Sequence, residues 1–277
     1  MKFNIPILLL TYKRPETTSK ILKKIYEVNP KKIYIFQDGI KTSFNYEEGL
    51  KYNKTTELIE KSIKNYSNTK IYYHRFKKNI GQKYIGKSIM DIVFKIENKI
   101  IVLEDDTLPD KSFFKYCKAM LKKYENNNKI FHISGCNLYN GYLGKKISKE
   151  DFFLSKYPHW WGWATWKSKW YKYYDPDMRD WKKNKKKFLS QKMNNKKEWR
   201  FFDYYLSLTA RNKHICWDLP WLYKMILYEK LTVVPTINLI KNIGFDYSPE
   251  GKGSIKFRNL KSGKITFEKI LSKNVYK

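Results

Sequence analysis

Residues 100–109 read IIVLEDDTLP, an apolar strand that carries the carboxylates Glu104, Asp105 and Asp106 at its C-terminal end. Like charges this close repel and raise one another's pKa values unless a cation or hydrogen-bond donors compensate them. A hard divalent cation, which takes oxygen ligands and bridges to substrate phosphates, is one such compensation. The alternative is an acidic turn that caps a helix beginning near Pro109. The triplet alone does not decide between these two interpretations.

On both sides of this stretch, apolar strands alternate with amphipathic helices. The pattern predicts strands at residues 5–10, 32–36, 70–74, 100–103 and 130–135. Such alternation is typical of parallel β-α-β units, in which ligands bind at the carboxyl ends of the strands. Because Arg14, Asp38 and the acidic triplet each follow a strand, we expect them to meet at one edge of the sheet.

Composition narrows the class of protein. The chain has 277 residues, of which 42% are hydrophobic, so it can bury a sizeable core. Its 57 Lys and Arg residues against 26 Asp and Glu residues give a net charge of +31. This excess favours an anionic partner, which is a nucleotide, a nucleic acid or an acidic membrane. Abundant Lys, Asn, Ile and Tyr also fit an AT-rich coding sequence, so charge alone does not choose among these partners.

Cysteine usage and hydropathy predict the compartment. The three cysteines lack metal-ligand spacing, which favours a reducing environment. The apolar run at residues 1–10 is too short for a signal peptide, and no later run is long enough to span a bilayer. We therefore predict a cytoplasmic protein that can sit at the inner face of the membrane.

The second half of the chain is rich in tryptophan. Residues 158–166 read PHWWGWATW, with four tryptophans in seven positions. Such a cluster suits a packed core and a sugar-stacking platform about equally. Helices are predicted around residues 199–204 and after Trp217, and a strand at residues 231–235. The lysine-rich residues 182–187 read as a solvated charged loop.

In their order and spacing these motifs resemble the nucleotide-sugar glycosyltransferases of GT-A fold. More narrowly, they are similar to a bacterial group of sugar transferases related to N-acetylglucosaminyltransferase I. The resemblance runs from about Phe3 to Phe245. It rests on Arg14-Pro15, Gln37-Asp38-Gly39, Asn79-Ile80-Gly81-Gln82, Glu104-Asp105-Asp106, Gly162-Trp163-Ala164-Thr165-Trp166 and Trp217-Asp218.

The resemblance implies an α/β fold with a Rossmann-like, mostly parallel sheet flanked by helices and a C-terminal acceptor-side subregion. Residues 1–136 would form the nucleotide-sugar-binding half. Residues 137–246 would form the acceptor-binding and catalytic half of the same domain, and residues 247–277 a basic C-terminal loop or tail. Relatives often carry a histidine after the Asn-Ile-Gly-Phe stretch, whereas residues 245–253 contain none.

For the donor, the resemblance implies a divalent cation bound by Asp106, with Mn²⁺ favoured and Mg²⁺ as the alternative. Such a cation neutralises the leaving diphosphate as the glycosidic bond breaks. Arg14 would contact the phosphates and Asp38 the base edge, although Asp38 fits equally well as a turn residue before Gly39. The other nucleotide contacts that the resemblance implies are Gln82, Lys83, Glu104 and Asp105.

For the acceptor, a base must deprotonate the attacking hydroxyl in an inverting displacement. We favour Asp218, because a carboxylate between Trp217 and Trp221 can be partly desolvated, which raises its pKa toward useful basicity. Its structural alternative is a helix N-cap, and Asp203 is the alternate base. The predicted acceptor contacts are Trp160, Trp161, Gly162, Trp163 and Trp217.

The sequence therefore predicts a metal-dependent, inverting glycosyltransferase. It would move a hexosyl or N-acetylhexosaminyl group from a nucleoside diphosphate sugar, with UDP favoured, to a glycan or lipid-linked acceptor in surface polysaccharide synthesis. Peripheral contact with an anionic membrane and no nucleic-acid partner are expected. One alternative is a basic nucleic-acid-binding protein, which explains the charge but not the triplet. Another is a sugar-phosphate nucleotidyltransferase, for which a glycine-rich loop is expected where residues 11–15 contain no glycine.

Overall fold

A computed structural model describes residues 2–43, 45–138, 151–214 and 216–244. Eight of the strands in these ranges form one sheet in the order β3-β2-β1-β4-β8-β6-β9-β7. They are β1 (Ile7–Thr11), β2 (Lys32–Gln37), β3 (Lys70–Arg75), β4 (Lys99–Glu104), β6 (Ile130–Ser134), β7 (Phe152–Ser155), β8 (Trp163–Trp166) and β9 (Leu231–Pro235). Two short strands, β5 (Thr107–Pro109) and β10 (Ile240–Asn242), pair antiparallel beside this sheet.

Helices cover both faces of the large sheet. In chain order they are α1 (Pro15–Tyr26), α2 (Tyr46–Asn65), α3 (Gly81–Val93), α4 (Lys111–Lys123), α5 (Lys167–Tyr173), α6 (Trp181–Lys192), α7 (Lys196–Ala210) and α8 (Asp218–Leu227). Ile7 and Leu9 of β1 join the core under α1, α2 and α4, whereas Leu8 joins the core under α3. Because strands buried on both faces need apolar residues at every position, β1 has no polar alternation.

The strand directions confirm the predicted fold class, an α/β domain of GT-A type with a mostly parallel sheet between helices. Strands β1 to β4 are mutually parallel in the order 3-2-1-4. Strand β8 runs antiparallel to both β4 and β6, and β9 pairs parallel with β6. Strands from residues 1–136 and 137–246 thus share one sheet. The exact boundaries stay a prediction, and residues 247–277 lie outside the described ranges.

Two local expectations are corrected. Residues 182–187, expected as a loop, lie inside helix α6, and the buried side chains of Trp181, Phe188 and Leu189 flank this lysine-rich segment. The acidic triplet does not cap the helix that follows it. Helix α4 begins at Lys111, and Asp110 is its cap, since the Ser112 amide donates to Asp110 Oδ1 at 2.8 Å. Strand β5 separates this cap from the triplet.

Among the helices in the ranges given above, none combines the length and the apolar character needed to cross a lipid bilayer.

Candidate functional site

A cleft of about 420 Å³ lies at the carboxyl edge of the parallel strands. The ends of β1, β2 and β4, the beginnings of α1, α3 and α8, and the tryptophan-rich segment all contribute to its lining. As expected from the strand topology, residues that are far apart in sequence meet here. The predicted site residues that line the cleft are Arg14, Asp38, Gln82, Glu104, Asp105, Asp106, Trp160, Trp161, Trp217 and Asp218.

One guanidinium nitrogen joins two carboxylates of the triplet. Nη1 of Arg14 lies 3.0 Å from Asp105 Oδ1 and 2.9 Å from Asp106 Oδ2. The backbone amide of Tyr12 also donates to Asp105, at 3.1 Å. Arg14 immediately precedes α1, whose first residue is Pro15, so the chain reverses at the end of β1 and points the guanidinium back at β4. Asp105 is 6% exposed and therefore depends on these partners for its charge.

Glu104, the third carboxylate of the triplet, is affected both by burial and by the neighbouring negative charges. Burial raises its pKa well above the usual range, and the negative charges of Asp106, Asp218 and Asp105 add to that shift, while Arg14 opposes it. Burial likewise raises the pKa of Asp105 to about 6, and the Arg14 guanidinium works against the shift. Within the described part of the chain, no hydrogen bond reaches the Glu104 carboxylate. The cleft thus has an excess of buried negative charge that a cation would relieve.

The donor set fits a hard divalent cation that is completed by substrate. In the described ranges, no group of three or more His, Cys, Asp and Glu side chains is arranged to hold a metal by itself. Mg²⁺ and similar ions are commonly held by one or two carboxylates together with water and substrate phosphates, and Asp106 and Asp105 offer such oxygens. Asp106 is partly open to the cleft, with 19% of its side chain exposed. Arg14 is paired with both of these carboxylates.

Asp38 has a geometric role at the end of β2. Its carboxylate accepts hydrogen bonds from the amides of Gly39, Ile80 and Gly81 and from the Asn79 side chain, at 2.7–3.1 Å. Two carboxylate oxygens have about four lone-pair sites, so these four donors use that capacity. Asp38 therefore ties the end of β2 to the beginning of α3. Contact with a nucleobase would require one of the four donors to be exchanged.

The tryptophan-rich segment divides between wall and core. Trp160 and Trp161 line the cleft, whereas Trp163 is fully buried and stacks on His132 at 4.9 Å between ring centroids. Gly162 has φ +60°, and a Cβ atom there would lie 2.5 Å from Ile240 Cδ1, so this turn needs glycine. Neither Trp163 nor Gly162 lines the cleft. Their places fit a supporting role behind its wall and do not support the predicted acceptor contact.

Trp217 and Asp218 close the cleft at the beginning of α8. A Cβ atom at Gly86 of α3 would lie 2.3 Å from Trp217 Cε3, so the indole is seated directly on the helix backbone. Trp217 holds the N-cap position of α8 without a side-chain cap, and Asp218 is the first helical residue. Asp218 Oδ1 accepts from the Leu219 amide at 3.0 Å. The N-cap alternative for Asp218 is therefore wrong by one position.

Two predicted site residues lie elsewhere. Lys83 is buried on the outer side of α3, where Nζ lies 2.5 Å from both Asp177 Oδ1 and Asn212 Oδ1. Asp203 lies on α7, where it accepts from Ser207 Oγ at 3.1 Å and forms an ion pair with Lys185. Neither residue lines the cleft. The nucleotide contact of Lys83 and the base role of Asp203 have no support in this geometry.

Other lining residues were missed by the sequence analysis. Lys13 and Lys41 lie beside Arg14 and Asp38 in sequence, and their position after β1 and β2 was a usable signal. Lys13 forms an ion pair with Glu48 of α2. Asn242 reaches the cleft because β10 pairs with β5, which no sequence pattern indicated. The segment lacking the family's histidine, residues 245–253, lies outside the described ranges.

Comparisons with known proteins find similarity of fold at low levels. No protein-family model matches the sequence, and no curated protein matches it. A mannosyltransferase from Pyrobaculum calidifontis, solved with GDP-Man and Mn²⁺, aligns at TM-score 0.44 and 10% identity over 62% of this chain, which spans 47% of that protein. Mouse xyloside xylosyltransferase 1, in its apo form, aligns at TM-score 0.43 and 8% identity over 83% of this chain and 84% of its own.

A nucleotidyltransferase gives a similar result. A UDP-glucose pyrophosphorylase complexed with UDP-glucose aligns at TM-score 0.39 and 12% identity, over 83% of this chain and 90% of its own. Similarity at these levels does not distinguish sugar transfer from nucleotidyl transfer. The reaction class has to come from the residues of the cleft.

Proposed function

We propose that this protein is a glycosyltransferase that moves a sugar from a nucleoside diphosphate, UDP being favoured, to the hydroxyl of a glycan or lipid-linked acceptor. One observation carries the proposal. The acidic triplet, a bridging arginine, a carboxylate at a helix start and an indole wall line the same cleft at the carboxyl edge of a parallel sheet. A nucleic-acid groove would not need buried carboxylates, which repel phosphates.

The donor would lie along the Arg14 side of the cleft. Asp106, with Asp105 beside it, would hold the Mn²⁺ or Mg²⁺ that neutralises the leaving diphosphate. Arg14 and Lys41 would contact the phosphates, and the fixed fork of the guanidinium suits that contact. Gln82, at the start of α3, would lie against the nucleoside. Asp38 supports this arrangement by holding the β2 end to α3.

The acceptor would lie along the tryptophan side. Trp160, Trp161 and Trp217 offer apolar ring surfaces against which sugar rings pack. Asp218 would take the proton of the attacking hydroxyl, and the attack would come from the face opposite the diphosphate, which inverts the anomeric centre.

A thermal-shift series tests this function. Nucleotides and nucleotide sugars are added with and without Mn²⁺, because a ligand that binds only the folded state stabilises it by about 2.7 kcal/mol at one hundred times its Kd. We expect stabilisation by a nucleoside diphosphate, uridine first, only in the presence of the metal. Incubation with the stabilising nucleotide sugar should then release nucleoside diphosphate.

Two outcomes would replace the proposal. Release of pyrophosphate from a nucleoside triphosphate and a sugar phosphate would make the protein a nucleotidyltransferase. Stabilisation by oligonucleotides, with none by any nucleotide plus metal, would make it a nucleic-acid-binding protein.

A further inference from the structure

Helices α6 and α7 form an antiparallel pair that carries an unusual concentration of positive charge. Between Trp181 and Ala210 there are nine Lys and Arg residues against two acidic residues. The inner sides of the pair are apolar, since Phe188 and Leu189 of α6 pack with Phe202 and Leu206 of α7. Lys183 and Lys187 of α6, one helical turn apart, lie away from this core and are both exposed.

The outer side of α7 adds aromatic rings to this charge. Lys197, Arg200, Phe201 and Tyr204 are exposed and follow the i, i+3, i+4, i+7 spacing of one helix face. Phe201 is 52% exposed and Tyr204 61% exposed, whereas Phe202, the neighbour of Phe201, is buried. Trp199, 41% exposed, lies at the edge toward α6, where it lines a shallow depression with Lys182 and Lys186.

We propose that this surface docks the protein onto an anionic membrane. The surface, called the hairpin face below, consists of Lys183 and Lys187 of α6 and Lys197, Arg200, Phe201 and Tyr204 of α7. The lysines and the arginine lie against anionic lipid headgroups, and the two rings enter the headgroup level. An amphipathic helix that combines cations with aromatic residues lies in the plane of a bilayer interface for these two reasons together.

The ring geometry favours a membrane over a nucleic acid. Single-stranded nucleic acids stack successive bases on aromatic platforms along a groove. On the hairpin face, Phe201 and Tyr204 instead flank Tyr205 at interplanar angles of 49° and 88°. These rings stand at steep angles on a convex helix and offer no row of parallel faces. Insertion between headgroups needs only their apolar edges.

The hairpin face also has a suitable place in the chain. Helix α7 ends at Ala210, and the chain reaches Trp217 and Asp218 of the cleft seven and eight residues later. A protein docked through α7 would keep the acceptor side of the cleft near the lipid surface, which suits a lipid-linked acceptor. This last link rests on the proposed function, whereas the docking itself does not.

Vesicle co-sedimentation tests the docking with the full chain. Wild-type protein is mixed with vesicles of phosphatidylcholine alone or of phosphatidylcholine and phosphatidylglycerol, at low and high salt. Three variants are compared, namely Lys183→Glu/Lys187→Glu, Phe201→Ser/Tyr204→Ser and, as a control, Lys51→Glu/Lys54→Glu on the exposed side of α2. The control makes the same change in net charge as the first variant, at an equally exposed helix surface.

We expect wild-type protein to bind the anionic vesicles only. The partition coefficient of the Lys183/Lys187 variant onto anionic vesicles should fall at least about tenfold, because each lysine near the membrane surface contributes to binding. The Phe201/Tyr204 variant should lose binding at low and high salt alike, and the control should lose less than about threefold. Because the substituted side chains are exposed, thermal unfolding should stay close to wild type in all three variants.

Equal loss in the control would show that net charge rather than this surface drives attachment. Undiminished binding by both hairpin variants would show that the hairpin face takes no part in attachment. Oligonucleotide binding that the hairpin variants abolish, with no vesicle binding by wild type, would assign the surface to nucleic acid. Nucleotide-dependent thermal stabilisation is measured on the same samples. Its presence without vesicle binding contradicts the docking alone, and vesicle binding without it contradicts the glycosyltransferase alone.

Discussion

The cleft and the hairpin face carry opposite charges in opposite surroundings. In the cleft, burial raises the pKa values of Glu104 and Asp105, and one arginine holds two carboxylates together. On the hairpin face the cations are exposed to solvent. A buried charge costs free energy unless it is paired, whereas a solvated charge costs little. The buried carboxylates of the cleft therefore point to a ligand that offsets their repulsion. The exposed cations of the hairpin face instead act on a partner at long range.

The largest effect is expected at Asp106, the proposed metal ligand of the cleft. Asp106→Asn should weaken metal-dependent nucleotide binding, raising the Kd by at least about 10²-fold, because a charged oxygen ligand is lost. Stability should hold or rise, since a like charge beside Glu104 disappears and Asn keeps an acceptor for Arg14. Isothermal titration and thermal unfolding measure the two effects.

Asp110→Asn is the matched control, because it removes one nearby carboxylate while an asparagine still caps α4. It should leave nucleotide binding and stability close to wild type. Retention of Mn²⁺-dependent binding by Asp106→Asn would mean that the triplet holds no metal.

The next largest effect concerns the base. Asp218→Asn should lower kcat by at least about 10²-fold while donor and metal affinity persist, because the substitution removes proton transfer and keeps the shape. The Asp203→Asn variant should keep the transferase activity of the wild type, since Asp203 lies on α7 and pairs with Lys185 away from the cleft. Steady-state kinetics with both variants decide the assignment, and an inactive Asp203→Asn beside an active Asp218→Asn would reverse it.

A smaller effect is expected when the Trp217 indole on the wall of the cleft is displaced while the charged residues stay unchanged. Gly86→Ala should displace the Trp217 indole, which a new Cβ would meet at 2.3 Å, and should lower the free energy of unfolding by about 1–3 kcal/mol. Acceptor use should weaken while nucleotide binding persists. Gly49→Ala is the control, because nothing lies within 4 Å of the new Cβ in helix α2. That variant should be more stable than wild type, by up to about 1 kcal/mol, as alanine favours helix.

The smallest effect concerns His132, the buried histidine on which Trp163 stacks. Burial lowers the pKa of His132 to about 3, so the unfolded state takes up a proton as the pH falls below about 6.5 while the folded state does not. This group therefore contributes stability above pH 6.5 that is lost progressively toward pH 3, about 2 kcal/mol of it by pH 5. Asp105, whose pKa is raised to about 6, changes stability in the opposite direction over the same range.

The difference between wild type and His132→Gln isolates the histidine. Chemical denaturation at pH 7 and pH 5 should show a shallower loss of unfolding free energy in the variant. Parallel pH profiles in the two proteins would mean that His132 is charged in the folded state or is already neutral in the unfolded one.

The sequence alone predicted the parallel strands β1 to β4 and the sheet edge that carries the site. Continuous apolar runs bounded by turn residues specify buried parallel strands, and the ends of such strands share one edge, so Arg14, Asp38 and Glu104 to Asp106 were predictable as neighbours. The helix that contains Trp199 to Tyr204 followed in the same way from its spacing. These features depend on short-range periodicity, which a sequence displays directly.

The packing of the elements determines which of these side chains face the cleft. The sequence of residues 158–166 does not distinguish buried Trp163 from Trp160 on the wall. Their surroundings differ only because β8, which contains Trp163, pairs with β4 and β6. Lys83 was predicted in the site but lies on the far side of α3, paired with Asp177, 94 positions away. The bridge from Arg14 to Asp105 and Asp106 likewise spans more than 90 residues. Local patterns bring Arg14 and the triplet to the same sheet edge but do not specify which side chains pair there, since that is set by how whole elements pack.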